Sequence, residues 1–412
     1  MEQNLTSCKR KIAVFTGNRA EYGLQYPMLK AIDGNSNLEY QLIVSGAHLD
    51  DNFGRTLDEI HNDGFSIDVE VKIEMKGNSD IATAQAIGSG VTSISNALEA
   101  LQPDIVVVYA DRFEGFAAVI AASQMNIPTA HIEGGDLTEG GALDDSVRHA
   151  MTKLAHMHFT TNEQATNRIL AMGEEAWRVH TVGFPAIDLI SEGRFASSNE
   201  CCERLNLDLK KPIVLFTQHS ITTEILEAAD QVLPSLEAMK QLAAEGVQVL
   251  LTYPNNDAGG SAIIKALIEM GRESHAGVQI HQSLGRHLYH GVLALARDPL
   301  NRVACVGNSS SGVKETPAFG CPTVNIGSRQ EGRLRGNNVI DTGYDVDQIV
   351  AAVNCCFYDE AFIESARTTA NPYYLGDAGK KISEVLADVP LDQLLIRKKM
   401  MLKGEAKDGW YR

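Results

Sequence analysis

The feature that most constrains this chain is a repeated alternation of short Val- and Ile-rich runs with longer amphipathic stretches. The runs Ile12–Thr16, Tyr40–Ser45, Asp104–Tyr109, Pro128–Glu133, His158–Thr161 and Val179–Gly183 are bounded by Gly, Asn or Asp. Such runs read as parallel strands buried on both faces. Between them Ile81–Leu101 and Phe113–Gln124 carry helical patterns, and this β-α alternation predicts a parallel sheet covered by helices. The pattern then restarts, with strands at Pro212–Thr217, Val247–Thr252, Val278–His281, Val303–Val306 and Thr323–Ile326 and helices at Thr223–Ala243 and Gly259–Met270. The expected fold is therefore α/β, with two doubly wound Rossmann-like domains in series. The weakly patterned stretch Ser191–Lys211 marks the boundary. It divides the chain into domains at 1–190 and 191–370, with a helical segment and tail at 371–412 whose Asp377–Leu386 part crosses back onto the first domain. Ligands of such sheets sit outside the carboxyl ends of the strands, so the polar residues there, facing a cleft between the domains, are the candidates for function.

Composition removes other classes. Across 412 residues, 36 basic against 53 acidic side chains give a net charge of −17, and 44% of the chain is apolar. That balance excludes a disordered chain and argues against a nucleic-acid or anionic-membrane partner, both of which need a basic face. Seven cysteines form no CxxC, and two of their pairs are sequence neighbours. Neighbours make poor disulfides and poor tetrahedral metal clips, so a reducing cytoplasm is expected. The N-terminus shows no signal-peptide core and no apolar run is long enough to span a membrane. The basic C-terminal stretch reads as a solvated or docking tail.

The strand Asp104–Tyr109 ends in Asp111-Arg112, and the next strand ends in His131-Ile-Glu133-Gly-Gly. On adjacent strands, about 4.8 Å apart, Asp111 and Glu133 converge on one small ligand. Paired carboxylates suit proton removal and return at a sugar or carbonyl carbon. Asp144 and Asp145 follow a glycine-rich loop at the start of a helix expected over Ser146–Ala155, where one of them equally serves as a helix cap. His131 shares a face with Glu133, but no second histidine stands at metal spacing, so acid–base use outranks metal binding. Gly307-Asn-Ser-Ser-Ser-Gly312 opens a helix and brings backbone N–H groups to a phosphate without the GK[ST] ending of a Walker A loop. Arg19, in Thr16-Gly-Asn-Arg-Ala-Glu-Tyr22, departs from GxGxxG, which leaves a dinucleotide unindicated. His219 follows the strand Pro212–Thr217 and faces the same expected cleft.

Taken in order, GNRAEYG, DRFE, HIEGGD, DDSVRHAMTKLAH, GNSSSGVKE and NIGSRQEGR resemble the hydrolysing branch of the UDP-N-acetylglucosamine 2-epimerase family, from about Lys11 to about Thr342. The resemblance implies a GT-B arrangement with a UDP-sugar between the domains, no cofactor, and a homodimer or homotetramer. It implies catalytic roles for Asp111, Glu133 and Asp144, and UDP or sugar contacts for Arg19, Arg112, His219, Asn255, Ser309, Ser310, Glu315 and Arg329. Glu315 would grip the ribose hydroxyls, while Arg19, His219 and the serines would face the diphosphate. The loop between Glu133 and Asp144 is longer than the family pattern, which leaves Asp144 and Asp145 both open. The implied reaction is elimination of UDP to a 2-acetamidoglycal, then hydration to N-acetylmannosamine. A UDP-2,4-diacetamido-2,4,6-trideoxyglucose substrate, a GT-B glycosyltransferase and a nucleotide-sugar sensor are the alternatives. The kinase half of the bifunctional animal enzyme is absent.

Overall fold

A computed structural model describes residues 9–49, 57–75, 80–138, 143–221, 227–254, 259–273 and 275–402, without the side chains of residues 19, 20, 47 and 80. The chain forms two compact units. One comprises Met1–Asp136, Asp144–Asp188 and Leu375–Arg412, and the other Leu137–Leu143 and Leu189–Tyr374.

The first unit contains β1 (Arg10–Thr16), β2 (Leu38–Ser45), β3 (Val69–Val71), β4 (Ile105–Tyr109), β5 (Thr129–Ile132), β6 (Met157–Thr160) and β7 (Val179–Thr181). They lie all-parallel in the order β3-β2-β1-β4-β5-β6-β7. The second unit contains β8 (Ile213–Thr217), β9 (Gln248–Thr252), β10 (Val278–His281), β11 (Val303–Gly307), β12 (Thr323–Ile326) and β13 (Val339–Thr342). These are also all-parallel, in the order β10-β9-β8-β11-β12-β13. Two Rossmann-like halves result. Every residue of β4 and β8 is buried because helices cover both faces, which is why both strands read as unbroken apolar runs. The short strands β3 and β13 were not among the expected ones. Both are part-exposed sheet edges, so neither carries a continuous apolar signal.

In each sheet the chain winds outward from a central strand, then returns to that strand's other side. The reversal falls between β1 and β4 in one unit and between β8 and β11 in the other. Open parallel sheets bind ligands at such switch points, beyond the carboxyl ends of the strands.

The C-terminal segment is built into the first unit. The helix Ala378–Asp388 lies against Arg19–Asp33, with Gly379 donating to Asp188 Oδ2 at 2.8 Å and Ser383 Oγ donating to the carbonyl of Ala31 at 3.2 Å. Beyond it, the buried Arg178 guanidinium donates to the carbonyls of Leu394 and Leu395, both at 2.7 Å, and to Glu175 Oε2 at 2.7 Å. Lys398 Nζ donates to the carbonyls of Lys153 at 2.9 Å and Ala155 at 2.6 Å, and pairs with Glu174 at 2.8 Å. It therefore caps the C-terminal end of the helix Leu143–Leu154, where a cation complements the helix dipole. Burial disfavours the Glu174 carboxylate, but hydrogen bonds from His158, Lys153 and Lys398 outweigh it and hold the pKa at about 2. Among the described residues the six cysteines are free thiols, and no helix is long and apolar enough to cross a membrane.

Because Arg178 satisfies several buried carbonyls at once, removing its charge strands them. R178M is expected to lose about 3–5 kcal/mol in thermal or denaturant unfolding, and to release residues 394–401 to limited proteolysis.

Candidate active site

Adjacent strands β4 and β5 each end in a residue that is not glycine yet has a left-handed backbone, Ala110 at φ +54° and Glu133 at φ +64°. That conformation costs about 1–2 kcal/mol for an L-residue and persists only where surrounding bonds impose it. Here they do. Ala110 N–H donates to the Ile132 carbonyl at 3.0 Å, and the Ala110 carbonyl accepts from His131 Nε2 at 2.7 Å. Glu133 N–H donates to the Phe159 carbonyl at 2.9 Å, while its own carbonyl accepts from Arg148 Nη1 at 3.1 Å. After Glu133, only glycine fits at 135: its φ is +78° and an added Cβ would stand 2.4 Å from the Ala165 carbonyl oxygen.

Arg148 joins these elements. It is 1% exposed, its Nη2 pairs with Asp111 Oδ2, and its Nε lies 4.0 Å from Asp145 Oδ1. Burial opposes the charge of this guanidinium, but Asp111, Asp136, Asp145 and Asp144 outweigh it and raise its pKa. The helix carrying Arg148 begins at Leu143, three residues earlier than expected, so Asp144 and Asp145 lie inside its first turn. Acidic residues there are stabilised by the helix dipole. Asp144 is half-buried and Asp145 buried. His131 accepts from or donates to a partner at both ring nitrogens, Ala110 O at 2.7 Å and Thr152 Oγ1 at 3.1 Å, which leaves neither for a cation. Burial, together with neighbouring cationic groups, lowers its pKa to about 3, so the ring is neutral.

Glu21 follows the β1 end of the same switch point. It is buried, and its Oε2 accepts from Gly17 N–H at 2.5 Å. Burial first, then the nearby Glu114 and Asp111 carboxylates, raise its pKa to about 8 against the opposing pull of Gly17 and Arg112. Arg112, a half-buried cation, has its Nε 3.7 Å from Glu114 Oε2. Arg19 opens the helix Arg19–Asp33, and its side chain lies outside the described residues.

The second unit has its own polar cluster at its switch point. Gly307 ends β11 at φ +123°, where an added Cβ would fall 2.0 Å from the Thr217 carbonyl oxygen. That close approach lets the buried Asn308 side chain clamp the backbone of His219, accepting from its N–H at 2.6 Å and donating to its carbonyl at 2.9 Å. The Asn308 carbonyl in turn accepts from Arg329 Nη1 at 3.2 Å and Gln330 Nε2 at 2.8 Å. Ser309 accepts from Ser311 Oγ at 3.1 Å, and Ser311 bonds Tyr289 OH at 2.7 Å. Ser310 immediately precedes the short helix Ser311–Lys314, and Glu315 follows it, buried, with Oε2 2.9 Å from His290 Nε2. Asn255 lies outside the described residues.

Asp111, Asp144 and the main-chain carbonyl of Glu133 thus face one guanidinium in the first unit, while His219, Ser309, Ser310, Glu315 and Arg329 belong to the second. Sequence reasoning passed over Arg148, although its spacing three and four residues after Asp145 and Asp144 places all three on one helix face. Asn308 was equally legible as the first polar residue after β11. Nothing in the sequence marked His131 as the pin of the Ala110 turn.

A family model described as UDP-N-acetylglucosamine 2-epimerase matches residues 30–387. The UDP-N,N'-diacetylbacillosamine 2-epimerase (hydrolyzing) of Legionella pneumophila is 32% identical over 390 residues, 94% of this chain and 98% of that protein. The UDP-N-acetylglucosamine 2-epimerase of Neisseria meningitidis serogroup B is 30% identical over 347 residues, 84% of this chain and 86% of that protein. A solved structure of UDP-GlcNAc 2-epimerase from Neisseria meningitidis bound to UDP-GlcNAc aligns with a TM-score of 0.76 at 20% identity, covering 92% of this chain and 99% of that one. This last likeness shows a shared fold.

Two stability measurements check the local physics. E133G is expected to be no less stable than wild type, by up to about 1 kcal/mol more stable, because glycine tolerates positive φ. For Glu21, the folded chain keeps a proton from pH 4.5 up to about 8 that the unfolded chain releases, so its contribution is full below pH 4.5 and is lost as pH rises through 8. E21Q should flatten that decline in a series of melts across this range.

Proposed function

The chain belongs to the UDP-N-acetylglucosamine 2-epimerase family, as an enzyme of its hydrolysing type, and on that premise we propose that it converts UDP-N-acetylglucosamine and water to N-acetylmannosamine and UDP. The observation that supports this most is the buried Arg148, which holds the Asp111 carboxylate and the strained main chain of Glu133 on one rigid support. Groups that move protons must be held to within a fraction of an ångström, and strain at a site is tolerated where it serves that end.

In this reading the second unit takes the nucleotide. Glu315 accepts from the ribose hydroxyls, and Arg19, His219, Ser309, Ser310 and Arg329 face the diphosphate. Asn255 and Arg112 complete the contacts to nucleotide or sugar. The carboxylates of the first unit act on the sugar. One of them, with Glu133 the principal candidate, removes the C2 proton as the C1–O bond to UDP breaks, which leaves a C1=C2 double bond in a 2-acetamidoglycal. Water oxygen then adds at C1, and a proton returns to C2 on the opposite face. Asp111 and Asp144 share that return and the positioning of water. Negative charge builds on the departing diphosphate, so cations and N–H donors there act chiefly in the transition state. The proposed setting is the cytoplasm, with a homo-oligomer feeding synthesis of sialic-acid-type sugars.

A second reading keeps the chemistry and changes the sugar to UDP-2,4-diacetamido-2,4,6-trideoxyglucose. It is favoured by the Legionella relative, whose identity to this chain matches that of the Neisseria enzyme within a few per cent. Incubation with each UDP-sugar and identification of the freed sugar by NMR separates the two.

E133Q keeps the shape of the side chain and removes its base. It is expected to lower kcat by about 10²–10⁴-fold with UDP affinity by calorimetry within about threefold of wild type. A wild-type rate would overturn the assignment.

A further inference from the structure

We infer that His290 is a positioning residue that presents Glu315 to the ribose of the bound nucleotide and so sets the preference for ribo- over 2′-deoxyribonucleotides. The inference rests on the reading of Glu315 as the ribose carboxylate and extends it to a residue outside the sequence motifs.

His290 belongs to the helix Gly285–Ala294 and is 3% exposed. Its ring lies among aromatic neighbours, 5.6 Å from Phe319 and 6.4 Å from Tyr289 between centroids. Its Nε2 meets Glu315 Oε2 at 2.9 Å, while Nδ1 has no hydrogen-bond partner among the described residues. A carboxylate only accepts, so Nε2 carries the proton. Burying a polar ring in apolar surroundings is unfavourable without a compensating bond, and among the described residues Glu315 supplies the bond to the His290 ring. A leucine would fill the same space without that cost.

The consequence falls on Glu315. Its carboxylate torsion is intrinsically soft, and a buried carboxylate free to rotate presents no fixed acceptor. With Oε2 pinned by His290, Oε1 and the remaining lone pairs are aimed in one direction. Two adjacent hydroxyls of a ribose fit such a fixed pair of acceptors, and a sugar lacking the 2′-hydroxyl makes one bond fewer. The same helix sends Tyr289 to Ser311 and through it to Ser309, so one scaffold orders both the carboxylate and the serine turn.

The test is calorimetric titration of UDP and of 2′-deoxy-UDP into wild type, H290L, H290Q and E315Q. H290L is expected to weaken UDP about tenfold, while 2′-deoxy-UDP changes by less than about threefold, so the preference collapses. H290Q retains a donor near the Nε2 position and is expected to keep the preference within about threefold of wild type. If H290L weakens both nucleotides equally, or keeps the preference, while E315Q abolishes it, the inference fails and the ribose reading stands. If E315Q itself keeps the preference, the ribose reading fails and the inference falls with it. Should H290L not fold, nitrogen chemical shifts of His290 in wild type decide: UDP must perturb Nε2 more than 2′-deoxy-UDP does, and equal perturbation overturns the inference.

Discussion

One buried guanidinium organises the first unit. Arg148 is surrounded by Asp111, Asp136, Asp144 and Asp145, and it also holds the carbonyl of Glu133. None of these groups would be stable alone in the interior. An unpaired arginine there is prohibitively costly, and unpaired carboxylates repel one another. Together they form an acidic cluster about one cation beside the carboxyl ends of two neighbouring strands, and the left-handed turn at Glu133 is held in place by it. The cluster therefore does more than neutralise charge. It fixes the Asp111 carboxylate and the main chain of Glu133 relative to the sheet.

The second unit solves a comparable problem at its switch point with a neutral side chain in place of a guanidinium. There a neutral amide, Asn308, bridges the ends of β8 and β11 by bonding both backbone polar groups of His219. The difference suits what each unit is proposed to handle. In that proposal the diphosphate is met by N–H and hydroxyl donors together with the Arg329 guanidinium, whereas proton transfer needs carboxylates held in place. In both units a backbone approach that only a side-chain-free residue permits, at Gly135 and at Gly307, makes the arrangement possible.

The strand series was legible because buried parallel strands write themselves as apolar runs, and the residue after each run is placed at a carboxyl end of the sheet. The edge strands β3 and β13 were not legible, since half-exposed strands lose that signal. The start of the helix Leu143–Leu154 was misplaced because the preceding glycine-rich stretch offered no strong cap. Contacts made by Arg148, His131 and His290 were hidden for a different reason. Each depends on which non-neighbouring side chain lies opposite it, and periodicity along one element carries no information about that. The quoted motifs contain Arg148 and His131, but a motif does not say which groups such a residue holds.

The first unit is discontinuous in the chain, and its strap is its final piece. A ribosome makes the residues up to 188 first, Leu137–Leu143 of the second unit among them, then the rest of the second unit, and only then the helix Ala378–Asp388 and the segment through Lys398 that closes on the helix bearing Arg148. The nascent first half therefore waits with that helix end uncapped and the helix Arg19–Asp33 uncovered until residues 378–398 follow. Completion of the first unit is tied to a segment made after the stretch 189–374, so a chain cut short before it would lack that cover on its first half.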